Sequence, residues 1–204
     1  MNICIYGAAS TDIDKGYSEI VEQLGETLAK RGHTLIFGAG NGGLMGAAAR
    51  GFKKGGGRVA GVAPTFFRDT VIEELYPHCD NIIYTDSMGM RKSVMEMNAD
   101  AFIVTPGGIG TFDEFFQVLT LKQLHQINKP IALFNIRGYY YSIEALMHNG
   151  AEEKFLRADC LSLFKSFTEE EVDAMIEYVE TPCPPLPDDV ELVYGFYGDK
   201  TTNE

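Results

Sequence analysis

The chain has 204 residues, 45% hydrophobic and 23% charged, enough for one α/β domain whose core needs neither disulfides nor metal. Its net charge of −12 excludes a nucleic-acid coat, which would need a basic face. The residues from Lys165 to Glu204 account for −9 of that charge and residues 1–164 for only −3, so a small anionic ligand can still bind in the body.

Cys4, Cys79, Cys160 and Cys183 are far apart and form no CxxC pair, which suggests neither a zinc site nor a disulfide framework. The N-terminal MNICIYGAAS lacks a basic region ahead of a long apolar run, and no window approaches the ~18 apolar residues of a membrane span. The reading is a cytoplasmic protein with no membrane and no nucleic-acid partner.

Along the chain, apolar runs of strand length fall at 2–6, 34–37, 58–62, 81–85, 101–104, 130–134 and 161–164. Most are continuously apolar, as in strands buried on both faces of a parallel sheet. Helical patterns lie between them at 17–31, 43–54, 87–98, 111–127, 140–149 and 168–179. This alternation predicts an α/β, doubly wound, mainly parallel sheet of about seven strands with helices on both faces. There is no internal repeat and no interdomain linker. Residues 1–180 therefore read as a single domain, and 181–204, with four prolines in TPCPPLP, as a Pro-rich acidic extension. The apolar ELVYGFY within it could pack on the body or on a partner chain, or form a solvated tail.

Glycine-rich stretches follow the first, second and fifth predicted strands: YGAAS, FGAGNGGLMG and TPGGIGTFDE. Ligands in such sheets bind outside the carboxyl ends of the strands, where three close-approach loops would make a pocket. Gly38 to Gly43 match GxGxxG, but after the second strand and without an acid about twenty residues on, so a dinucleotide fingerprint is a weak reading. A phosphate at the start of the Gly43 helix remains plausible on helix-terminus grounds. Thr111-Phe112-Asp113-Glu114 reads as a capping box, Thr111 at N-cap and Glu114 at N3. The same stretch can present donors from Gly107, Gly108, Gly110 and Thr111 to a phosphate. Glu114, repelled by that phosphate, would then face the sugar end of the ligand.

Asp86 or Ser87 can cap the next candidate helix, and Met90, Val94 and Met97 are spaced to bury one face of it. Arg91-Lys92 sits early in that helix, where positive charge opposes the macrodipole unless an anion lies nearby. The methionines at 88, 90, 95 and 97 read as core filler. His33, His78, His125 and His148 are scattered, and no GxSxG elbow or Walker sequence appears.

Taken together, GLMG at Gly43–Gly46, the Arg91-Lys92 helix followed by ADAF, then PGGIGTFDE and KPIALFN resemble the LOG (Lonely Guy) family. Pro106 to Glu114 match every fixed position of its PGGxGTxxE pattern, and the resemblance covers about residues 1 to 180. It implies a Rossmann-like nucleotide-binding domain, a homodimer and a phosphoribohydrolase that frees the base of a purine nucleoside 5′-monophosphate, a cytokinin ribotide or AMP. By position, the family's catalytic pair falls on Arg91 and Glu114. Its substrate contacts fall on Lys92, the loop Gly107, Gly108, Ile109, Gly110 and Thr111, and on Thr120, with Gly43 and Met88 counted beside them. No metal or redox cofactor is implied. The family's "lysine decarboxylase" label finds no lysine to carry pyridoxal phosphate.

The chain departs from the family in several places. It has Gly7-Ala8-Ala9 for Gly-Ser-Ser, Gly38-Ala39-Gly40 for three glycines, and Asp113 for the first of two glutamates. The stretch Thr65 to Asn81 aligns poorly, with Asp69 no more than a candidate for a further acidic contact of the family, and residues after Thr181 lie outside the resemblance. Glu114 could orient the ribose hydroxyls, stabilise developing positive charge or activate water. The alternative function is a non-catalytic carrier of a nucleotide or molybdopterin-type ligand.

Overall fold

The computed structural model describes residues 1–68 and 74–184. In chain order the elements are β1 (Asn2–Tyr6), α1 (Lys15–Lys30), β2 (Thr34–Phe37), α2 (Gly43–Lys54), β3 (Arg58–Pro64) and β4 (Asn81–Thr85). There follow α3 (Met88–Asn98), β5 (Ala101–Val104), α4 (Ile109–Gln123), β6 (Ile131–Phe134), α5 (Tyr141–Glu152), β7 (Lys165–Phe167) and α6 (Val172–Glu180). All seven strands pair in parallel in the order β4-β3-β2-β1-β5-β6-β7. The chain winds outward from β1 in one direction and from β5 in the other, which makes the fold doubly wound and Rossmann-like.

Strand alternation builds two cores. Ile3 and Ile5 of β1 face α1, α2 and α6, where Leu24, Leu28, Phe52 and Ile176 are buried. Cys4 and Tyr6 face α3, α4 and α5, packed with Met95, Phe115, Val118 and Met147. Burial on both faces is why β1, β2, β5 and β6 read as unbroken apolar runs.

The seventh strand is not where the apolar run LSLF placed it. Ala158–Ser162 is a 3₁₀ turn, from which Leu161, with Leu163 and Phe164 after it, packs partly buried on the α3–α5 side. The strand is the next segment, Lys165–Phe167, in register Ala132↔Lys165 and Phe134↔Phe167. As an edge strand it needs only Phe167 inside, so it carries no apolar run.

Two helix readings are also corrected. α4 begins at Ile109 with Gly108 at its N-cap and no side-chain cap, so Thr111 and Glu114 lie inside the helix and form no capping box. A true capping box occurs at Thr168–Glu171, ahead of α6. Ser87 does cap α3, accepting from the Met90 N–H. The inward face of that helix, however, carries Arg91, Met95 and Glu96, while Met90 and Met97 are exposed. Residues 69–73, including Asp69, and residues 185–204, including ELVYGFY, lie outside the described residues.

Candidate active site

The carboxyl ends of β1 and β5 meet where the winding reverses. Their pairing continues past the strands: the Thr105 N–H and hydroxyl both donate to the Tyr6 carbonyl at 2.9 Å, and the Ala8 N–H donates to the Pro106 carbonyl at 3.0 Å. A Cβ on Gly7 would come within 2.2 Å of Thr105 Oγ1, so that position needs glycine. Above this junction opens a cavity of about 340 Å³. It is lined by the loop Gly7–Ser10, by Met45, Phe67, Met88 and Arg91, and by Gly108, Gly110, Thr111 and Glu114 of the PGGIGTFDE stretch.

Arg91 and Glu114 reach the cavity from neighbouring helices and face each other, Nη1 to Oε1 at 3.5 Å, although they are only 5% and 8% exposed. The guanidinium is fixed by the ends of two strands. Nε donates to the Val62 carbonyl and Nη2 to the Gly38 carbonyl, each at 3.1 Å. Carbonyls and a carboxylate satisfy the buried guanidinium and hold it in position. Gly38 makes this seat available, since a Cβ there would lie 1.7 Å from Arg91 Nη2. Beneath the pair lie Cys4 and Tyr6. Burial is the largest cause of their raised pKa values, with the charge of Glu114 next for Cys4 and the neighbouring Cys4 next for Tyr6. Both stay neutral.

The second feature is the start of α4. Its first intrahelical bond runs from the Phe112 N–H to the Gly108 carbonyl at 3.0 Å. Among the described residues nothing accepts from the N–H groups of Ile109, Gly110 or Thr111. The helices that precede it in the chain differ. Asp14 caps α1, Ser87 caps α3, and at α2 the N–H groups of Leu44 and Met45 donate to the Ala8 carbonyl at 2.8 and 3.3 Å. The phosphate position expected at Gly43 is therefore closed by the protein's own loop, and the open N-terminus with its partial positive charge belongs to α4. Gly110, Thr111 and Glu114 share one helix face, with Glu114 about 4.5 Å further along the axis than Thr111 at 1.5 Å per residue.

The structure thus brings Arg91, Glu114, Gly108, Gly110, Thr111 and Met88 to one cavity. Gly107 lies on the far side of the same loop, and Ile109 is 83% exposed. Two other expected contacts point elsewhere. Lys92 Nζ pairs with Asp113 Oδ2 at 2.7 Å, and the Thr120 hydroxyl donates to the Phe116 carbonyl one turn back. His33 pairs with Glu180 beside Arg31 just before the amino end of β2, at the end of the sheet opposite these loops. Among the described residues no group of three His, Cys, Asp or Glu side chains could hold a metal ion, and no helix is long and apolar enough to cross a membrane.

Residues 45–178 match a family described as "Possible lysine decarboxylase". The rice protein "Probable cytokinin riboside 5′-monophosphate phosphoribohydrolase LOGL1" is 35% identical over 164 residues, 80% of this chain and 73% of that one. The chain belongs to the LOG family. Its similarity to the Arabidopsis cytokinin riboside 5′-monophosphate phosphoribohydrolase LOG7 is 35% over 155 residues, 76% of this chain and 70% of that one. Among solved structures, the molybdenum cofactor carrier protein of Chlamydomonas reinhardtii superposes with a TM-score of 0.66 over 88% of this chain and 98% of its own. At 20% identity that likeness shows the shared fold alone. The LOG signature falls on the cavity: PGGIGT supplies the open start of α4, and its last residue is Glu114.

Sequence reasoning found that loop but missed two of its supports. Gly38 seats Arg91 only because β2 and α3 meet in space, and no local pattern encodes that. Tyr139 donates from its hydroxyl to the Gly107 carbonyl at 2.6 Å, and Tyr140 to the Thr105 carbonyl at 2.7 Å. Tandem tyrosines read only as the start of a helix.

Proposed function

We propose that this chain hydrolyses the N-glycosidic bond of a purine nucleoside 5′-monophosphate, a cytokinin ribotide or AMP. The bond from C1′ of the ribose to the base breaks with its electron pair leaving on the base, and water adds at C1′. The products are free base and ribose 5-phosphate. The observation that carries this reading is the buried Arg91–Glu114 pair, one helical turn from three N–H groups that have no acceptor among the described residues. The start of α4 would hold the 5′-phosphate, so that remote binding energy positions the reacting bond. Glu114, next along the helix, meets the ribose, where an oxocarbenium-like transition state gathers positive charge. Arg91, 3.5 Å away, would hold that carboxylate aimed. The LOG relatives named above carry cytokinin riboside 5′-monophosphate phosphoribohydrolase in their names, which supports the cytokinin-ribotide form of this reading.

The decarboxylase description fits the residues less well. Among the described residues no lysine lines the cavity, and Lys92 is turned to Asp113. A homodimer belongs to the proposal: Met90 and Met97 of α3 are 50% and 73% exposed, with Phe116 of α4 also exposed, an apolar surface of the kind a second copy covers. Sedimentation at the mass of one chain would count against it.

Chromatography of free base after incubation with AMP and with isopentenyl-AMP tests the reaction. Wild type should release base, and Glu114→Gln, folded by thermal melt, should lose activity by about 10²- to 10⁴-fold, the range for a positioned catalytic carboxylate. Tight nucleotide binding without release by wild type would replace the enzyme with a carrier.

A further inference from the structure

We infer that Tyr139 is a positioning residue for the anion-binding loop, aiming the Gly108 N–H into the reaction cavity through the Gly107–Gly108 peptide. The inference rests on the phosphate-binding role proposed for the start of α4. The loop separates two hollows. One is the reaction cavity; the other, about 220 Å³, lies across the loop and includes Gly107 and Tyr139 in its wall. Gly108 borders both, while Gly107 and Tyr139 border only the second.

The Tyr139 hydroxyl donates to the Gly107 carbonyl at 2.6 Å, from the side of the second hollow. Among the described residues there are no cis peptides, and in a trans peptide the C=O of one residue and the N–H of the next point in opposite directions. A carbonyl drawn toward Tyr139 therefore turns the Gly108 N–H away from it, toward Thr111 and Glu114. The Gly108 donor joins those of Ile109, Gly110 and Thr111. Glycine at 107 and 108 would otherwise leave this peptide free to rotate.

Tyr140 supplies the internal contrast. Its ring packs edge-on against Tyr139 at 5.1 Å, and its hydroxyl holds the Thr105 carbonyl at 2.7 Å. The next residue is Pro106, which has no N–H, so this second hydrogen bond aims no donor. Tyr140 is buried and Tyr139 is 44% exposed. Two adjacent tyrosines thus hold two carbonyls of one loop, but only the outer one can affect anion binding through the peptide it grips.

The experiment compares Tyr139→Phe and Tyr140→Phe in the full chain, by calorimetric titration with AMP and with inorganic phosphate, by thermal melting, and by kcat and KM for base release. For Y139F the AMP and phosphate dissociation constants should rise roughly tenfold, as expected for loss of one charge-assisted hydrogen bond. KM should rise with them, while kcat and the affinity for unphosphorylated adenosine hold. Y140F should melt earlier than wild type and bind AMP as wild type does. Unchanged AMP affinity in Y139F would overturn the inference. So would equal weakening by both variants, or an early-melting Y139F, because the hydroxyls would then only order the loop. If wild type binds AMP but releases no base, the hydrolase reading fails and the titrations still decide this one.

Discussion

Gly38→Ala is the substitution through which the seat of Arg91 is best examined. Gly38 does not have a positive φ, so alanine suits its backbone, and such a change ordinarily stabilises by about 0.4–1 kcal/mol through the unfolded chain. Here the new Cβ would stand 1.7 Å from Arg91 Nη2 and 2.8 Å from Cζ. The end of a long side chain usually swings clear at little cost, but this one is buried and tied to the Val62 and Gly38 carbonyls. Moving it forfeits at least the Gly38 bond, about 1.5–3 kcal/mol for a hydrogen bond to a charged group. At roughly 2–4 °C per kcal/mol for a chain of this size, the melting temperature should fall by about 3–12 °C, less the gain from the unfolded chain. Base release should fall further than stability, because the partner of Glu114 moves. The assay is a thermal melt beside chromatography of released base, repeated in an Arg91→Ala background where Gly38→Ala should be neutral or stabilising. A G38A protein with wild-type melting and activity would refute the reasoning, as would equal cost in both backgrounds.

Two further predictions concern the C-terminal half of α3 and the C-terminal segment. Burial raises the pKa of Glu96, opposed by the charge of Lys92 and the Gln117 amide and, more weakly, by Lys129, with Asp113 adding to the rise. A raised folded pKa means that the stability it contributes is complete below the unfolded value of 4.5 and lost as pH climbs through the folded one. Glu96→Gln, which can still accept from Gln117, should melt above wild type at pH 7, with the difference closing toward pH 4; a pH-independent gap would rule this out. Separately, a chain ending at Pro184 should release base at the full rate, because it keeps the contacts of Cys183 with Lys122 and of Pro184 with Asn128. Lost activity in that truncation, measured by the same chromatography, would make the Pro-rich acidic extension part of the site.

The sequence is legible wherever burial is symmetrical. Strands covered on both faces, such as Ala101–Val104, announce themselves as apolar runs, and their bounds match to within two residues. The edge strand Lys165–Phe167 does not, because one inward phenylalanine leaves no pattern, and the neighbouring LSLF imitates a strand while packing as a turn. The PGGIGTFDE loop stands out because its glycines have a local reason. Arg91 is harder to read: beside Lys92 it resembles a solvated face, and only tertiary structure reveals that one of the pair is buried on two strand ends while the other turns out to Asp113. Thr111 misleads for a related reason. The chain enters α4 through Gly108, so a Thr-x-x-Glu spacing that would cap a helix starting later falls inside this one.

The Ala8 carbonyl that occupies the start of α2 has a consequence for ligand charge. Where a glycine-rich strand-to-helix turn of this fold class is open, its helix N-terminus can receive a phosphate group, as the first such turn does for the pyrophosphate of a dinucleotide. Here a Cβ at Gly42 or Gly43 would strike the carbonyls of Ala9, Ala8 and Ser10, so these glycines admit the protein's own backbone where a cofactor would otherwise lie. A diphosphate bridging both helices would meet a negative dipole at one end. Among the described residues that face the cavity, α4 alone then offers an open helix start to an anion, and under the proposed function this would favour a monophosphate over a bridging diphosphate.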